Sequence, residues 1–222
     1  MKIATFLKCS SLIVAIAGLA APAAFAQGMM GSGQGMVGGG PGMMGATAND
    51  RPVALGWGGA VWSYARVKRY LATSETEGVV DGRTVRFKGS DITIDMVAVQ
   101  PDHPDGTFEV HGVTNPTLVV PAGATVHLNL VNMDYGSDME HGVVVSPAAP
   151  PYGAYAMMQT GPGLARIAPP IPWRSAEDPG KADYAEAGTT FTARRPGVYW
   201  YVCQTPGHAA KGMFGKLLVQ GG

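Results

Sequence analysis

Cys203, His208 and Met213 follow one another at five-residue steps in the stretch Tyr-Val-Cys-Gln-Thr-Pro-Gly-His-Ala-Ala-Lys-Gly-Met. A thiolate, an imidazole and a thioether are soft and borderline donors. With one further histidine they make a trigonal His2Cys site with a weak axial Met, the donor set of type 1 copper. Pro206-Gly207 can turn the chain so that His208 returns toward Cys203, and Gly212 lets the backbone come close before Met213. A buried cysteine beside a surface histidine is the plainer reading of any single pair. Three ligand types in order around one turn favour the metal. Zinc suits the set less well, because it takes nitrogen, oxygen and thiolate donors rather than a thioether.

The fourth donor must come from outside this loop, from His103, His111, His127 or His141. His141 is the expected ligand. It opens the apolar run Gly142-Val143-Val144-Val145, and a residue at a strand end can face a loop of the neighbouring sheet, whereas His127 falls in mid-strand and His111 beside a turn. Taken singly, each rival reads as an ordinary surface or hydrogen-bonded histidine.

The first 26 residues bear on the thiol. Lys2 and Lys8 precede the apolar run Leu12 to Ala21, and Ala24-Phe25-Ala26 precedes Gln27, the charge, core and small-residue order of a cleavable export signal. The apolar run ends at Pro22 and is shorter than the roughly 20 residues of a membrane-spanning helix, so no stable membrane insertion is expected. Without a twin-arginine pair the route is general secretion, with the metal acquired outside the cytoplasm. The expected location is the periplasm. Cleavage removes Cys9 and leaves Cys203 unpaired in an oxidising compartment, where a bound metal would protect it.

The whole chain has 16 basic and 16 acidic residues, and the signal holds two of the basic ones, so the remainder carries a charge of −2 with neutral histidines. That balance gives no footing for nucleic acid. Residues 27–45 contain nine glycines and five methionines, a composition that cannot bury enough surface to offset the entropy of ordering. Residues 27–61 are read as a flexible leader and 62–222 as one domain. Met29, Met30, Met36, Met43 and Met44 could hold Cu(I) through thioethers, although a linker that happens to use Met explains them as well.

The elements that must position the ligands are legible in the apolar periods. Tyr64, Val67, Tyr70 and Leu71 share one face of a short amphipathic helix predicted over Trp62 to Ala72. From there the period is two. Strands are predicted around Val85–Phe87, Ile92–Met96, Phe108–His111, Thr117–Val120, Val126–Val131, Gly142–Val145, Thr190–Ala193, Val198–Cys203 and Gly215–Val219. Tyr199, Tyr201 and Cys203 fall on one face of their strand and Val198, Trp200 and Val202 on the other. Many short strands between Pro/Gly turns predict an all-β fold, an antiparallel Greek-key β-sandwich with a short N-terminal helix. The proline- and glycine-rich stretch from Ser146 to Asp183 is expected to be a long surface excursion.

Three stretches carry a resemblance to a known family. They are Val198 to Val219, then Phe108-Glu109-Val110-His111 with Asn115-Pro116-Thr117-Leu118 and Pro121-Ala122-Gly123-Ala124-Thr125-Val126, and Pro150-Pro151-Tyr152. From about Trp62 to Gln220 the chain resembles the rusticyanins, blue copper proteins of the cupredoxin family, and the sulfocyanins have a similar loop. The resemblance implies a cupredoxin-like sandwich with one type 1 copper held by His141, Cys203, His208 and Met213, and His111 as a non-ligand. It implies a monomeric one-electron carrier that meets c-type cytochromes in a respiratory chain, with iron oxidation as one setting for such a chain. Rusticyanins carry a serine directly after the first copper histidine, whereas Gly142 stands here with Asp138 and Glu140 just upstream. A lower potential and less acid tolerance are therefore expected, with an upward shift in Gly142→Ser.

An enzyme is disfavoured. Copper enzymes that wire a type 1 site to a second copper place a histidine beside the cysteine, and Cys203 is flanked by Val202 and Gln204. A dinuclear centre would need two cysteines. Copper delivery or storage is the alternative function, supported by the Met-rich leader alone.

Overall fold

The computed structural model describes residues 57–221, except 75–76, 138, 161–164 and 168–169, and leaves out the side chain of Ser74. The expected signal, most of the leader and Asp138 lie outside the described residues.

The chain runs β1 (Ala60–Ser63), α1 (Tyr64–Ser74), β2 (Gly78–Asp81), β3 (Thr84–Phe87), β4 (Asp91–Ala98), β5 (Phe108–Val110), β6 (Val113–Thr114), β7 (Thr117–Pro121), β8 (Thr125–Asn132), β9 (Val143–Ser146), α2 (Ala156–Gln159), β10 (Ala165–Arg166), β11 (Asp183–Thr192), β12 (Gly197–Cys203) and β13 (Phe214–Gln220). One sheet has the order β1-β11-β8-β4-β5-β6 and the other β10-β9-β12-β13-β7-β3-β2. Period-two patterning places the inner faces. Val126, Leu128 and Leu130 of β8 and Ile92, Ile94 and Met96 of β4 meet Val85, Leu118, Val143, Tyr201, Cys203 and Leu217 of the other sheet in one buried core. The expected β-sandwich is present.

Not all of its pairs are antiparallel. β3 with β7, β7 with β13, and β4 with β8 run parallel. The chain crosses between sheets at β3 to β4 and at β7 to β8, so neighbours within a sheet are reached by crossover rather than by hairpin. Trp62 and Ser63 belong to β1, whose pairing with β11 begins at Ala60, so strand structure reaches back into the segment read as leader and α1 starts two residues later than predicted. The helix face is as expected. Val67 is fully buried with Trp62, Val131, Met133 and Tyr184, and Tyr64, Tyr70 and Leu71 pack beside them.

The stretch from Ser146 to Asp183 departs most from expectation. Ala165, Ile167 and Ile171 enter the main core, Trp173 is buried, and Tyr152 and Ala156 join Val144, Val202 and Ala209 in a further cluster. Prolines set its apolar residues at irregular spacing, so no period betrays the burial. β11 also begins at Asp183, seven residues before the predicted strand, because its first residues, Asp183–Glu186, pair with β1, the rest with β8, and their burial does not alternate. Among the described residues no helix is long and apolar enough to cross a membrane.

Candidate metal centre

β12 delivers Cys203 to the end of the sandwich. As predicted, Tyr201 and Cys203 face the core with Tyr199 against it, while Val202 lies in the other cluster with Trp200 beside it. Tyr201 is anchored by its hydroxyl, which donates to Pro116 O at 2.6 Å, and by an edge-on contact with Phe108. β9 pairs with β12 so that Val143 stands opposite Cys203, which puts His141 two residues beyond the strand. His141 is pinned there by a two-bond bridge to Ile171, N–H to O at 3.1 Å and O from N–H at 2.9 Å.

After Cys203 the chain folds back on itself. Gln204 N donates to Gly142 O, Thr205 Oγ1 donates to Glu140 O, and His208 N donates to Thr205 O. A single 3-10 turn over Ala209–Lys211 ends at Gly212, whose φ of 109° lies in the left-handed region that glycine adopts without strain. The chain then turns so that Met213 N donates to His208 O and Met213 O accepts from Cys203 N, at 3.0 and 3.1 Å. Met213 is completely buried in the core that holds Cys203.

These constraints bring three donor atoms together. Cys203 Sγ lies 3.6 Å from His141 Nδ1 and 3.8 Å from His208 Nδ1, and the two Nδ1 atoms are 3.2 Å apart. A triangle with these sides has a circumscribed radius of about 2.1 Å, close to the roughly 2.0–2.3 Å at which a small divalent ion binds imidazole nitrogen and thiolate sulfur. The site therefore fits a trigonal ion without moving a side chain. A thiolate, two imidazoles and an adjacent buried thioether fit copper.

The electrostatics are those of a site built for a cation. Burial alone would raise the Cys203 thiol, but the rings of His141 and His208 outweigh it and bring the pKa down to about 6. Burial would likewise hold the His141 imidazolium down. The Asp134 carboxylate and the Cys203 sulfur outweigh it and lift the ring to about 9. His141 Nε2 is 2.8 Å from Asp134 Oδ2, and both residues are buried. His208 is only partly buried, so its ring is the ligand-set group that reaches toward solvent.

The other histidines are elsewhere. His127 points out of β8 and bridges Thr190 and Asp91, His103 pairs with the buried Glu109, and His111 stands edge-on to Phe87. Sequence reasoning missed Asp134, which stands in the polar run Asn132 to Glu140 with no periodicity to mark it. It also missed the Gln204 amide, which donates to Val143 O and Ile167 O, and Asn115, whose Nδ2 donates to Gly212 O.

A two-sheet sandwich that gathers two histidines and a cysteine at one end, with a methionine beside them, defines the cupredoxin class. Residues 83–222 match the sulfocyanin (SoxE) domain family. Rusticyanin of Acidithiobacillus ferridurans is 36% identical over 165 residues, covering 72% of this chain and 81% of that protein. Rusticyanin of Acidithiobacillus ferrooxidans is 37% identical over 163 residues, covering 72% and 80%. A solved structure of reduced rusticyanin superposes with a TM-score of 0.63 at 35% identity, covering 72% of this chain and 99% of that one. The chain belongs to the rusticyanin and sulfocyanin group of the cupredoxin family.

Proposed function

We propose that this chain is an exported one-electron carrier with a single type 1 copper, which His141, Cys203, His208 and Met213 would hold. The triangle of donor atoms at 3.2, 3.6 and 3.8 Å is the observation that carries this reading. Copper bound there would supply a one-electron Cu(II)/Cu(I) couple. The protein's part is to hold the donors in one arrangement for both states. Cys203, His141 and Met213 are fixed by burial and by backbone bonds among Gly142, Gln204, His208 and Ile171, which keeps water from the ligands and limits rearrangement on electron transfer.

His208 is the proposed exit for the electron. Its loop rests on the buried cluster of Tyr152, Ala156, Val202 and Ala209 with Phe214 at the side, and Pro206 and Ala210 are exposed beside it, small apolar residues of the kind used in brief redox contacts. The proposed partners are c-type cytochromes of a respiratory chain in the periplasm, and iron oxidation is one setting such a chain can serve. Residues 1–26 are proposed as the export signal and 27–61 as a leader ahead of the domain. Cys203 has Val202 and Gln204 as neighbours rather than a histidine, which supports a carrier over an enzyme with a second copper.

Metal analysis with stopped-flow kinetics tests the proposal. One copper per chain, unchanged by deletion of residues 27–45, and rapid stoichiometric oxidation of a reduced c-type cytochrome are expected. Several Cu(I) ions that depart with the leader, and no electron exchange, would favour copper delivery instead.

A further inference from the structure

His141 is held on both sides of its ring. Nδ1 faces Cys203 and His208, and Nε2 faces Asp134 at 2.8 Å. Asp134 is itself fixed at four points: Oδ1 accepts Tyr135 N–H at 2.7 Å, Oδ2 meets His141, its own N–H donates to Asn132 Oδ1 at 3.0 Å, and its carbonyl accepts Arg174 N–H at 2.9 Å. Asn132 is completely buried and ties this corner to the His141 bridge, donating through Nδ2 to Met139 O and Ile171 O.

Arg174 joins this corner through its backbone N–H, and its guanidinium is engaged elsewhere. It donates to the carbonyls of Met133, Ala176 and Glu177 and lies over the Tyr135 ring. Among the described residues, the ion pair formed by Asp134 is with His141. A carboxylate in this position is therefore a buried negative charge one imidazole ring away from the metal position.

We propose that Asp134 is a positioning residue that aims His141 Nδ1 at the metal and, by its charge, favours Cu(II) over Cu(I), so lowering the reduction potential. The inference rests on the copper reading above. With one thiolate and two neutral imidazoles the Cu(II) site has a net charge of +1 and the Cu(I) site is neutral, so a nearby anion stabilises the oxidised form more. Burial weakens the screening of that difference. A carboxylate on the far nitrogen also makes the imidazole a stronger donor, which again favours the more highly charged ion. The polar run Asn132 to Glu140 thus contributes to the potential through Asp134.

Asp134→Asn removes the charge while its amide oxygen can still accept from Nε2–H, at the loss of the second acceptor that meets Tyr135 N–H. The variant is expected to keep its blue colour and to bind Cu(I) at least tenfold more favourably relative to Cu(II), an upward shift of about 59 mV for one electron. A folded, blue Asp134→Asn with an unmoved potential would overturn the proposal. Proton NMR of the reduced wild type gives a reading that needs no variant. A downfield, exchange-protected Nε2–H on His141 is expected, and exchange as fast as that of an exposed imidazole would contradict it. Failure of the wild type to turn blue with copper would sink the copper reading instead.

Discussion

The side-chain amide of Asn115 reaches across 97 residues of sequence to donate to the carbonyl of Gly212, at 3.2 Å, while its oxygen accepts Phe108 N–H at 2.9 Å. One residue thus joins the β5–β6 hairpin to the backbone immediately before Met213. Asn115 holds a φ of 44°, a conformation that asparagine tolerates better than most residues.

Asn115→Asp keeps the acceptor for Phe108 and removes the donor to Gly212. Gly212 O keeps the N–H of Phe214 at 2.8 Å, so the variant loses one hydrogen bond, at about 0.5–1.5 kcal/mol, a fall in Tm of roughly 1–6 °C for a domain of this size. Calorimetry measures it. Copper release to a chelator is expected to quicken in the same variant, because the backbone ahead of Met213 loses a tether.

Gly142 has little room for a side chain. A Cβ there would stand 3.0 Å from Gln204 Nε2, 3.1 Å from Ile167 O and 3.3 Å from Pro170 Cα. Gly142→Ala is expected to displace the Gln204 amide from Val143 O and Ile167 O and to destabilise by about 1–3 kcal/mol. Gly142→Ser should lose as much stability and in addition raise the potential, since its hydroxyl can hydrogen-bond near the Cys203 sulfur. Redox titration of the two variants isolates the hydroxyl, and equal potentials would remove any role for its absence.

Much of this centre was legible because it is local. Cys203, His208 and Met213 lie within eleven residues around Pro206-Gly207, and the alternation of Tyr199, Tyr201 and Cys203 announces which face meets the core. His141 could be chosen for its place at the head of an apolar strand. The surroundings were not legible, because they are assembled by tertiary contact. Asp134, Asn115 and Gln204 are polar residues in turns or just past a strand end, where no period marks a buried role, and Ile167 and Ile171 are set among prolines. The parallel pairings escaped for the same reason, since crossovers between sheets leave no short turn in the sequence.

Two carboxylates under α1 give the stability a pH dependence. Burial pushes Asp95 up despite the Asn129 amide that donates to it, and burial pushes Glu186 up despite Arg66. Their folded pKa values lie above the unfolded ones, so their contribution is fully present below the ordinary carboxylate range and is lost as pH rises through the folded values. Asp95→Asn is expected to gain stability relative to wild type at neutral pH and to gain little near pH 4. Denaturant titrations at the two pH values check it, and equal gains at both would contradict the sign.

Cys203 at about 6 and His141 at about 9 make the metal-free site a thiolate beside an imidazolium at neutral pH. The ultraviolet absorbance of the thiolate is expected to persist in metal-free protein at pH 7.5 and to fade as the pH falls through 6. Copper loading at pH 7.5 should release about one proton, from His141, measurable in weakly buffered solution. Absence of the thiolate band at pH 7.5 would contradict the pairing.

The visible spectrum of copper-loaded protein tests the central claim most directly. A single copper bound by the Cys203 thiolate and two imidazoles should give an intense blue charge-transfer band that bleaches on one-electron reduction, returns on reoxidation and is lost in Cys203→Ala. A protein that binds one copper and stays colourless, or keeps its band without Cys203, would contradict the account.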